Sequence, residues 1–496
     1  MKMRTQNLFA RLGVASTRNR VLSMLIAGPG MMLTGQAMAQ TYTNVHMFNY
    51  PGDGANPQAG VILSGNSLYG TTSGAGGPSS SGTVFKVNTD GSNPTNFYTF
   101  TPASFPNYPH TNSDGAFPQA ALVLSGNTVY GTANQGGSSG YGSVFRVNTD
   151  GSGFTNMHNF TTVGFNAVNS DGANPQAGLI LSGNTLYGTA TQGGTNGDGT
   201  VFAINTDGTH FTNLYSFTGG NDGNAPEAGL LLSGNKLYGT AASGGTNGNG
   251  TVFTMNTNGT GFTILYSFSA GDINEDEGII TNSDGANPAA GLILSGNTLY
   301  GTTSAGGVAG VGTVFAVNTN GSGFTNLYNF TDNGGGNDGP NSDGAVPLAG
   351  LLLVGNTLYG TANQGGTNGN GTVFAIHTDG SDFTNLFNFN LFFNDIGAFP
   401  YGGLVVSGST LYGTTFSGGL GHGVVFGLSV TLPTAPLLNI MRSGTNVILT
   451  WPPNAGIFNL QTTTNLASPD WLTISGQNTV TNPIATIPQK FFRLSQ

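Results

Sequence analysis

Seven aspartates, each four or five residues before a proline, are the most regular set of chemically capable side chains in this chain. They are Asp53, Asp114, Asp171, Asp222, Asp284, Asp343 and Asp395. Arranged in a ring, such carboxylates would form a site for a cation or a cationic partner. The alternative is structural, because an aspartate also accepts backbone N–H groups of its own loop in an Asx turn. Seven similar copies exceed what one site needs, which favours the structural interpretation.

A short acidic insertion has the spacing of a calcium loop. Asp272, Asn274 and Asp276 alternate as the first three ligands of an Asp-x-Asn-x-Asp loop do. The loop glycine, Gly278, comes one residue late and the usual bidentate glutamate is absent, although Asp284 could substitute for it. The segment predicts a candidate calcium site, with a solvated acidic insertion as the alternative. The sequence indicates no other cofactor.

Ten aromatic residues lie in segments that differ from one part of the chain to the next. Aromatic faces stack on sugar rings, so these residues predict a glycan-binding surface. They are Tyr50, Phe105, Tyr108, Phe117, Tyr141, Phe165, Phe392, Phe393, Phe399 and Tyr401. Acidic residues concentrate instead near positions 222–227, 272–284 and 332–343, so an acidic arc is expected to face an aromatic arc. The alternative is loop variation without function.

Groups for other kinds of catalysis are scarce. His110 and His422 are the two histidines in the variable segments and are candidates for acid–base chemistry. The chain has no cysteine and no clustered histidines, so thiol and zinc catalysis have no support. Lys86, Arg146 and Lys236 lie outside the variable segments, which argues against lyases and sialidases that need cations to hold a carboxylate. A glycoside hydrolase needs two carboxylates at a set separation and stays an alternative.

A sequence motif that recurs seven times along the chain must position these residues. Its Leu/Val-Tyr-Gly-Thr element places tyrosine at 69, 130, 187, 238, 300, 359 and 412. In the copy from Ala177 to Phe217, four short β-branched and aromatic runs are separated by Gly, Asn and Asp turns, which predicts four antiparallel strands, A to D. Charged residues make up 6% of the chain and 83 residues are glycine, which argues against long helices. Four strands per repeat predict the blades of an all-β propeller.

The two ends of the repeat array predict a seven-bladed propeller closed by the N-terminal strand. The seventh repeat stops after its C strand, Val424–Leu428, and runs into Pro433. The segment Tyr42–Phe48 matches the D-strand pattern of Phe211–Phe217, so it is expected to complete the last blade. Loops D-to-A and B-to-C then share one face, where the variable residues lie, and the short A-to-B and C-to-D turns share the other.

The repeated pattern Leu-Tyr-Gly-Thr…Gly-Gly…Gly-Thr-Val-Phe…Asn-Thr-Asp-Gly…Phe-Thr-Asn-Leu resembles the GloVer-type tandem repeat of bacterial "choice-of-anchor" proteins. The resemblance covers all seven copies. It implies an exported, surface-associated protein of unknown activity, often followed by a sorting module, and it brings no catalytic residues.

The first 39 residues predict a secretory signal peptide. Five basic residues precede the apolar run Val21–Leu33, and Ala37-Met38-Ala39 supplies a cleavage signal. Without this segment six Lys and Arg stand against 21 Asp and Glu, a net charge of −15. Such a chain has little with which to neutralise phosphates, so nucleic acid and anionic membrane surfaces are excluded as partners. No segment after it is apolar for long enough to span a membrane.

The remaining chain divides into a propeller at 40–432 and a tail at 433–496. The tail holds both tryptophans, Trp451 and Trp471, and its Val447–Pro453 segment resembles a strand of a fibronectin-III-like module, so a small β-sandwich is expected. The whole predicts a monomeric, non-enzymatic binding scaffold that is secreted or at the cell surface, with the periplasm as another location. Its expected ligand is a neutral glycan or a surface protein. The alternatives are a glycoside hydrolase and a purely architectural protein.

Overall fold

The computed structural model describes residues 40–432, apart from 50–51, 75–80, 105–108, 275–278, 333–338 and 392–395, and six strands between 439 and 495. Several residues that the sequence singled out lie outside the described part. They are the whole predicted signal peptide, the aromatic residues Tyr50, Phe105, Tyr108, Phe392 and Phe393, the carboxylates Asp276 and Asp395, and Gly278, Trp451 and Trp471.

Seven four-stranded antiparallel sheets form the blades, and in the first six the strands follow the chain order A-B-C-D. The glycine and asparagine turns between β-branched runs end each strand after three to six residues. The strands are Ile62–Ser64, Ser67–Thr72, Thr83–Asn88 and Thr95–Thr99 in blade 1; Val123–Ser125, Thr128–Ala133, Ser143–Asn148 and Thr155–Asn159 in blade 2; Ile180–Ser182, Thr185–Ala190, Thr200–Asn205 and Thr212–Ser216 in blade 3; Leu231–Ser233, Lys236–Ala241, Thr251–Asn256 and Thr263–Ser267 in blade 4; Ile293–Ser295, Thr298–Thr303, Thr313–Asn318 and Thr325–Asn329 in blade 5; Leu352–Val354, Thr357–Ala362, Thr372–His377 and Thr384–Asn388 in blade 6.

Blade 7 is assembled from both ends of the repeat array. Its A, B and C strands are Val405–Ser407, Thr410–Thr415 and Val424–Ser429, and its outermost strand is Tyr42–Met47. This strand pairs antiparallel with the C strand, from Tyr42 opposite Leu428 to Met47 opposite Val424.

Each blade contacts the next through the same hydrogen bond. The threonine of every Leu/Val-Tyr-Gly-Thr element donates its hydroxyl to a main-chain carbonyl just before the A strand of the following blade. The donor–acceptor pairs are Thr71–Ala120, Thr132–Ala177, Thr189–Ala228, Thr240–Ala290, Thr302–Ala349, Thr361–Gly402 and Thr414–Ala59, at 2.7–3.4 Å. The last pair joins blade 7 to blade 1. The all-β, seven-bladed propeller predicted from the repeat is thus confirmed.

The core lies between neighbouring blades, and the repeated aromatic residues fill it. Between blades 3 and 4, for example, Tyr187 and Phe217 pack with Leu237 and Phe253. The glycine after each tyrosine is required by a contact within its own sheet. An added Cβ at Gly188 would stand 2.6 Å from Cζ of Phe202, the residue opposite it on the C strand. Glycine therefore leaves room for a phenylalanine ring to fold over the strand.

The variable loops share one face, as predicted. In the first six blades, the D-to-A loop that enters a blade forms an antiparallel bridge with the B-to-C loop of that blade, as between Ala173 and Gln192. In blade 7 the bridge extends to two short strands, Gly397–Ala398 and Ser417–Gly418. We call this side of the propeller the loop face. The opposite face carries the short turns, where Asp90, Asp150, Asp207 and Asp379 each accept a hydrogen bond from a backbone N–H two residues later.

The tail contains two three-stranded sheets. One has the order Asn439–Ser443, Asn446–Thr450, Thr479–Pro483, and the other has the order Leu472–Ile474, Asn459–Thr463, Phe491–Ser495. The strand Asn446–Thr450 overlaps the Val447–Pro453 segment that resembles a strand of a fibronectin-III-like module. Among the residues that the structure describes, no helix is long and apolar enough to cross a membrane.

Candidate functional site

The aspartates of the D-to-A loops are held in a repeated cluster that we call the aspartate clasp. In blade 5 and the loop after it, one oxygen of Asp343 accepts the Tyr328 hydroxyl at 2.7 Å and the Thr331 N–H at 3.0 Å. Its other oxygen accepts the Thr331 hydroxyl at 2.6 Å. Asp114, Asp222 and Asp284 receive the same three hydrogen bonds from Tyr98 and Thr101, Tyr215 and Thr218, and Tyr266 and Ser269.

Histidine replaces the tyrosine in two clasps. His158 lies 3.0 Å from Asp171, and His46, on the N-terminal strand, lies 2.8 Å from Asp53. Burial by itself raises the pKa of Asp171, but hydrogen bonds from His158 and Thr161 outweigh burial, so this pKa lies below its ordinary value. The tyrosine hydroxyls respond in the opposite sense. Burial, and then the neighbouring carboxylate, raise the pKa of Tyr98, Tyr215, Tyr266 and Tyr328 above the usual value of 10.0.

The six described clasps favour the structural interpretation of the aspartates over a cation-binding ring. Their carboxylate oxygens already accept hydrogen bonds from the protein, as buried carboxylates must. The donors extend beyond the Asx turn that the sequence suggested, because a tyrosine or histidine of the preceding D strand takes part. In six of the seven outermost strands, a tyrosine or histidine lies two residues before the phenylalanine that follows the strand, and this pattern could have predicted it; blade 6 has Phe387 there.

Neighbouring blades meet on the loop face at seven equivalent junctions. At each junction, a backbone carbonyl at the end of a B-to-C loop accepts an N–H from the next blade. The donor residue lies three positions before a recurring Ala-Gly, Ala-Ala or Gly-Gly pair. The acceptor–donor pairs are Ser81–Phe117, Tyr141–Asn174, Asp198–Ala225, Asn249–Asn287, Val311–Val346, Asn370–Phe399 and His422–Asn56, at 2.7–3.1 Å. All seven donor residues have φ between 53° and 58°. The backbone is therefore constant at the junctions, and only the side chains differ.

Four predicted aromatic residues lie at these junctions. Tyr141 is buried, with 7% of its surface exposed, and Phe117 and Phe399 are half-buried. Tyr401, two residues after Phe399, is exposed and packs edge-on against Phe416 at 5.5 Å between ring centroids. Phe165 lies elsewhere, in a short 3₁₀ turn, Phe165–Ala167, of the loop that enters blade 3. Only Phe165 and Tyr401 of the five described aromatic residues are thus exposed enough to serve as stacking platforms.

Exposed apolar side chains concentrate on the loop face. Within the described residues, the large hydrophobic side chains that remain exposed are Phe165, Val308, Leu391, Tyr401 and Leu420. Every one of them lies in a D-to-A or B-to-C loop. Exposed apolar groups confined to one side of a protein mark an interaction surface more often than scattered ones do.

A cleft of about 300 Å³ opens on this face at the junction of blades 3 and 4. Its wall includes the amides of Gln176, Gln192 and Asn224 and the carboxylates of Asp198 and Glu227. Ala167, at the end of the turn that carries Phe165, also lines the cleft. The sequence had placed Glu227 in the acidic arc, whereas it did not single out Asp198 or the amides. A position-by-position comparison of the seven junctions would have found them.

The two carboxylates of the cleft are electrostatically uncompensated. Burial, and then the negative charge of Asp222, raise the pKa of Asp198, and burial raises the pKa of Glu227. Neither carboxylate accepts a hydrogen bond from a side chain or backbone N–H of the described residues. Among the described residues that line the cleft, there is no lysine, arginine or histidine. The site therefore offers hydrogen-bond acceptors with unused capacity.

Asp284, which the sequence grouped with the acidic insertion, has its own hydrogen-bond partners in a clasp. Asp272–Asn274 form a strand that pairs with Ile279–Thr281, so the insertion is a β-hairpin, and Asp272 is exposed. Asp284 is buried in its own clasp with Tyr266 and Ser269. Among the described residues, no group of three His, Asp or Glu side chains is placed to hold a metal ion. The calcium site stays a prediction, since Asp276 is outside the described part.

Comparison with known proteins identifies the repeat. The profile of a family described as Gloeobacter/Verrucomicrobia repeat matches residues 27–168, 161–286 and 279–445. None of the curated proteins matches the chain.

Several solved structures match the chain at low sequence identity. PorZ, a bacterial surface component of the type-IX secretion system of Porphyromonas gingivalis, has a TM-score of 0.47 at 14% identity, over 90% of this chain and 60% of PorZ. Oligogalacturonate lyase from Vibrio parahaemolyticus has 0.45 at 8% identity, over 80% and 95%. The extracellular domain of a one-component system from B. thetaiotaomicron has 0.43 at 11% identity, over 89% and 54%. These likenesses concern the fold alone.

Proposed function

This chain belongs to the Gloeobacter/Verrucomicrobia repeat family, and we propose that it is an exported, non-enzymatic scaffold whose loop face binds a neutral glycan at the cell surface. The observation that carries the proposal is the confinement of the exposed apolar side chains, Phe165 and Tyr401 among them, to the loop face. A sugar offers apolar C–H faces to an aromatic ring and hydroxyls to amides such as Gln176 and Gln192. A surface protein that buries the same apolar side chains is the alternative partner.

Export and the monomeric state belong to the same proposal. The basic and apolar segments at 1–39 and the net charge of −15 without them support secretion into a medium where the protein must stay soluble. The propeller is proposed to be held closed by the strand Tyr42–Met47. The tail is proposed to be a small fibronectin-III-like β-sandwich that adjoins it.

Glycan binding is tested with a panel of neutral polysaccharides and calorimetric titration of the mature protein. Phe165→Ala and Tyr401→Ala should each weaken binding about two- to tenfold, since an aromatic contact contributes about 0.5–1.5 kcal/mol beyond the area that it buries. Val308→Ala is the matched control, because it removes exposed apolar surface of the loop face without removing a ring. High salt should change the affinity little, since no ion pair is involved.

If all three variants weaken binding equally, the contact depends on apolar surface in general and not on the stacking of an aromatic ring on a sugar. No binding to any polysaccharide, with the three variants folded, would refute the glycan proposal.

A glycoside hydrolase is the second candidate, and the observation that favours it is the pair of carboxylates in the blade 3/4 cleft. Hydrolases of this kind use one carboxyl with a raised pKa as the acid and a second carboxylate as base or nucleophile. Both Asp198 and Glu227 have raised pKa values. Release of reducing sugars from the same panel, abolished in Glu227→Gln, would establish hydrolysis in place of simple binding.

Calcium binding at the acidic insertion is a separate proposal. If Asp272, Asn274 and Asp276 hold the ion, calcium should raise the melting temperature of the mature protein by mass action, and a chelator should reverse the shift. The double variant Asp272→Ala, Asp276→Ala should melt at one temperature under both conditions. Equal melting of the unaltered protein with calcium and with chelator would discard the site.

A further inference from the structure

One A-to-B turn differs from its six equivalents on the side of the propeller that carries the short turns, which we call the turn face. The turn glycine has φ between 56° and 67° in all seven blades. In six blades it is exposed, and an added Cβ would have no described atom within 4 Å; these residues are Gly65, Gly126, Gly183, Gly234, Gly296 and Gly408. In blade 6 the equivalent Gly355 is buried. Because the turn has the same backbone in each blade, the repeat does not explain this burial.

The residue before that glycine also differs in blade 6. Six blades have serine at this position, namely Ser64, Ser125, Ser182, Ser233, Ser295 and Ser407, whereas blade 6 has Val354. Serine suits a solvated turn, but an apolar side chain gains stability there when other apolar surface removes it from water. Val354 is half-buried and packs against the cluster of buried residues between blades 6 and 7, which includes Tyr359 and Leu404. Residue type and burial thus single out the same turn.

The chain leaves the propeller on the turn face, next to this turn. The last propeller strand, Val424–Ser429, ends there, and the Val430 N–H donates to the Ser409 carbonyl of the A-to-B turn in blade 7 at 2.8 Å. Val430 is buried, and Leu432 packs against the same cluster as Val354. The chain that continues beyond Leu432 therefore starts at the boundary of blades 6 and 7.

A short linker keeps the tail close to that boundary. The six residues 433–438 join Leu432 to the first tail strand, Asn439–Ser443. Even a fully extended chain would place Asn439 at most about 25 Å from Leu432. The tail thus begins within reach of the blade 6 turn, which lies at the same boundary.

We propose that the C-terminal tail, residues 433–496, docks on the turn face of the propeller over Val354 and Gly355. The tail is the segment that starts beside the one buried turn, and the valine in place of serine supplies an apolar contact for it. A unit of about 60 residues is marginally stable by itself, so contact with the propeller stabilises it. The docked tail leaves the loop face, on the opposite side of the ring, free for a ligand. The inference does not depend on which ligand binds there.

Amide hydrogen exchange of the full mature protein tests the contact on the propeller side. Residues 355–357 and 183–185 have the same sequence, Gly-Asn-Thr, in the same turn of blades 6 and 3. Exchange at 355–357 should be slower by about tenfold or more, because a covered turn must open before it exchanges. Val354→Lys places a charge beneath the tail and should raise the exchange at 355–357 to the rate at 183–185. Ser182→Lys, at the equivalent exposed position of blade 3, is the matched control and should change the exchange of neither turn.

Tryptophan fluorescence tests the contact on the tail side, because Trp451 and Trp471, the two tryptophans of the chain, both lie in the tail. Val354→Lys should lower the urea concentration at which tryptophan fluorescence reports unfolding, since it removes the support of the propeller. Far-UV circular dichroism, to which the propeller strands contribute most, should show an unchanged midpoint. Val354→Ser introduces the residue that the other six blades carry, so the repeat itself indicates that this variant folds, and both of its effects should be smaller.

Each outcome decides the proposal. Equal exchange at 355–357 and 183–185 in the unaltered protein would overturn it, since the blade 6 turn would then be uncovered. Faster exchange at 355–357 in both Val354 variants, with an unchanged tryptophan midpoint, would refute the tail as the segment that covers the turn. If Val354→Lys lowers the circular dichroism midpoint as well, the smaller change in Val354→Ser decides between these results.

Discussion

Deleting residues 41–50 is expected to destroy the cooperative unfolding of the propeller and to cause aggregation. The deletion removes the strand that pairs with Val424–Leu428 and exposes that edge of blade 7. It also removes Phe48, which is fully buried, and Tyr42, whose ring stacks on Phe387 at 4.6 Å. The loss of one buried phenylalanine alone costs about 3–5 kcal/mol, a large part of the usual stability of a protein.

Urea unfolding, followed by the far-UV circular dichroism of the β-sheets, would measure the loss in free energy of unfolding. Phe48→Ala gives an intermediate point, since it keeps the strand and removes one side chain. A synthetic peptide of residues 40–50 should restore part of the lost stability when it is added to the truncated protein, by mass action. If the truncated protein unfolds at the same urea concentration as the mature form, the N-terminal strand does not hold the ring closed.

Breaking one aspartate clasp is expected to destabilise the propeller by about 3 kcal/mol, without any ligand present. Asp343→Ala leaves the Tyr328 hydroxyl, the Thr331 N–H and the Thr331 hydroxyl without their acceptor, and each hydrogen bond lost from this part-buried cluster costs about 1 kcal/mol. Tyr328→Phe removes one of the three hydrogen bonds and should cost about 1 kcal/mol. Asp379→Ala, in an exposed turn of blade 6, is the control and should change stability little.

The clasps also predict a loss of stability at alkaline pH. The pKa of Tyr98, Tyr215, Tyr266 and Tyr328 is raised in the folded state, mainly by burial. Their contribution is therefore complete below the unfolded value of 10.0, and it declines as the pH rises above that value, because the unfolded chain releases protons that the folded chain retains. Tyr328→Phe should reduce the slope of the free energy of unfolding against pH above 10.0.

If Asp343→Ala leaves the free energy of unfolding unchanged, the clasp does not contribute to stability.

The sequence was sufficient for the architecture because the signals for it are local and repeated. Alternating β-branched and aromatic residues define each strand, and Gly, Asn and Asp define each turn, so four strands per repeat could be counted directly. The match between Tyr42–Phe48 and Phe211–Phe217 likewise suggested a partner for the first strand, Val424–Leu428, more than 370 residues away along the chain.

The sequence was less informative about the site. The aromatic residues were chosen because they are aromatic and lie in variable loops, yet Tyr141 is buried at a junction, while Phe165 is almost fully exposed. Exposure depends on how a loop folds over its neighbours, which residue type and spacing do not reveal. The tyrosines of the clasps were missed for a related reason, since their hydroxyls meet aspartates of the following loop only when that loop turns back over the D strand.

By itself, then, the sequence determined that this protein is an all-β propeller with seven blades and one variable face, because strand and turn preferences act within a few residues. Tertiary structure alone decided which side chains meet on that face. Asp198 lies at the end of the B-to-C loop of blade 3, and Glu227 lies in the loop that enters blade 4. The cleft that they share exists because each blade packs against the next at a fixed junction. The chemistry of the cleft is a property of that packing, which no single repeat contains.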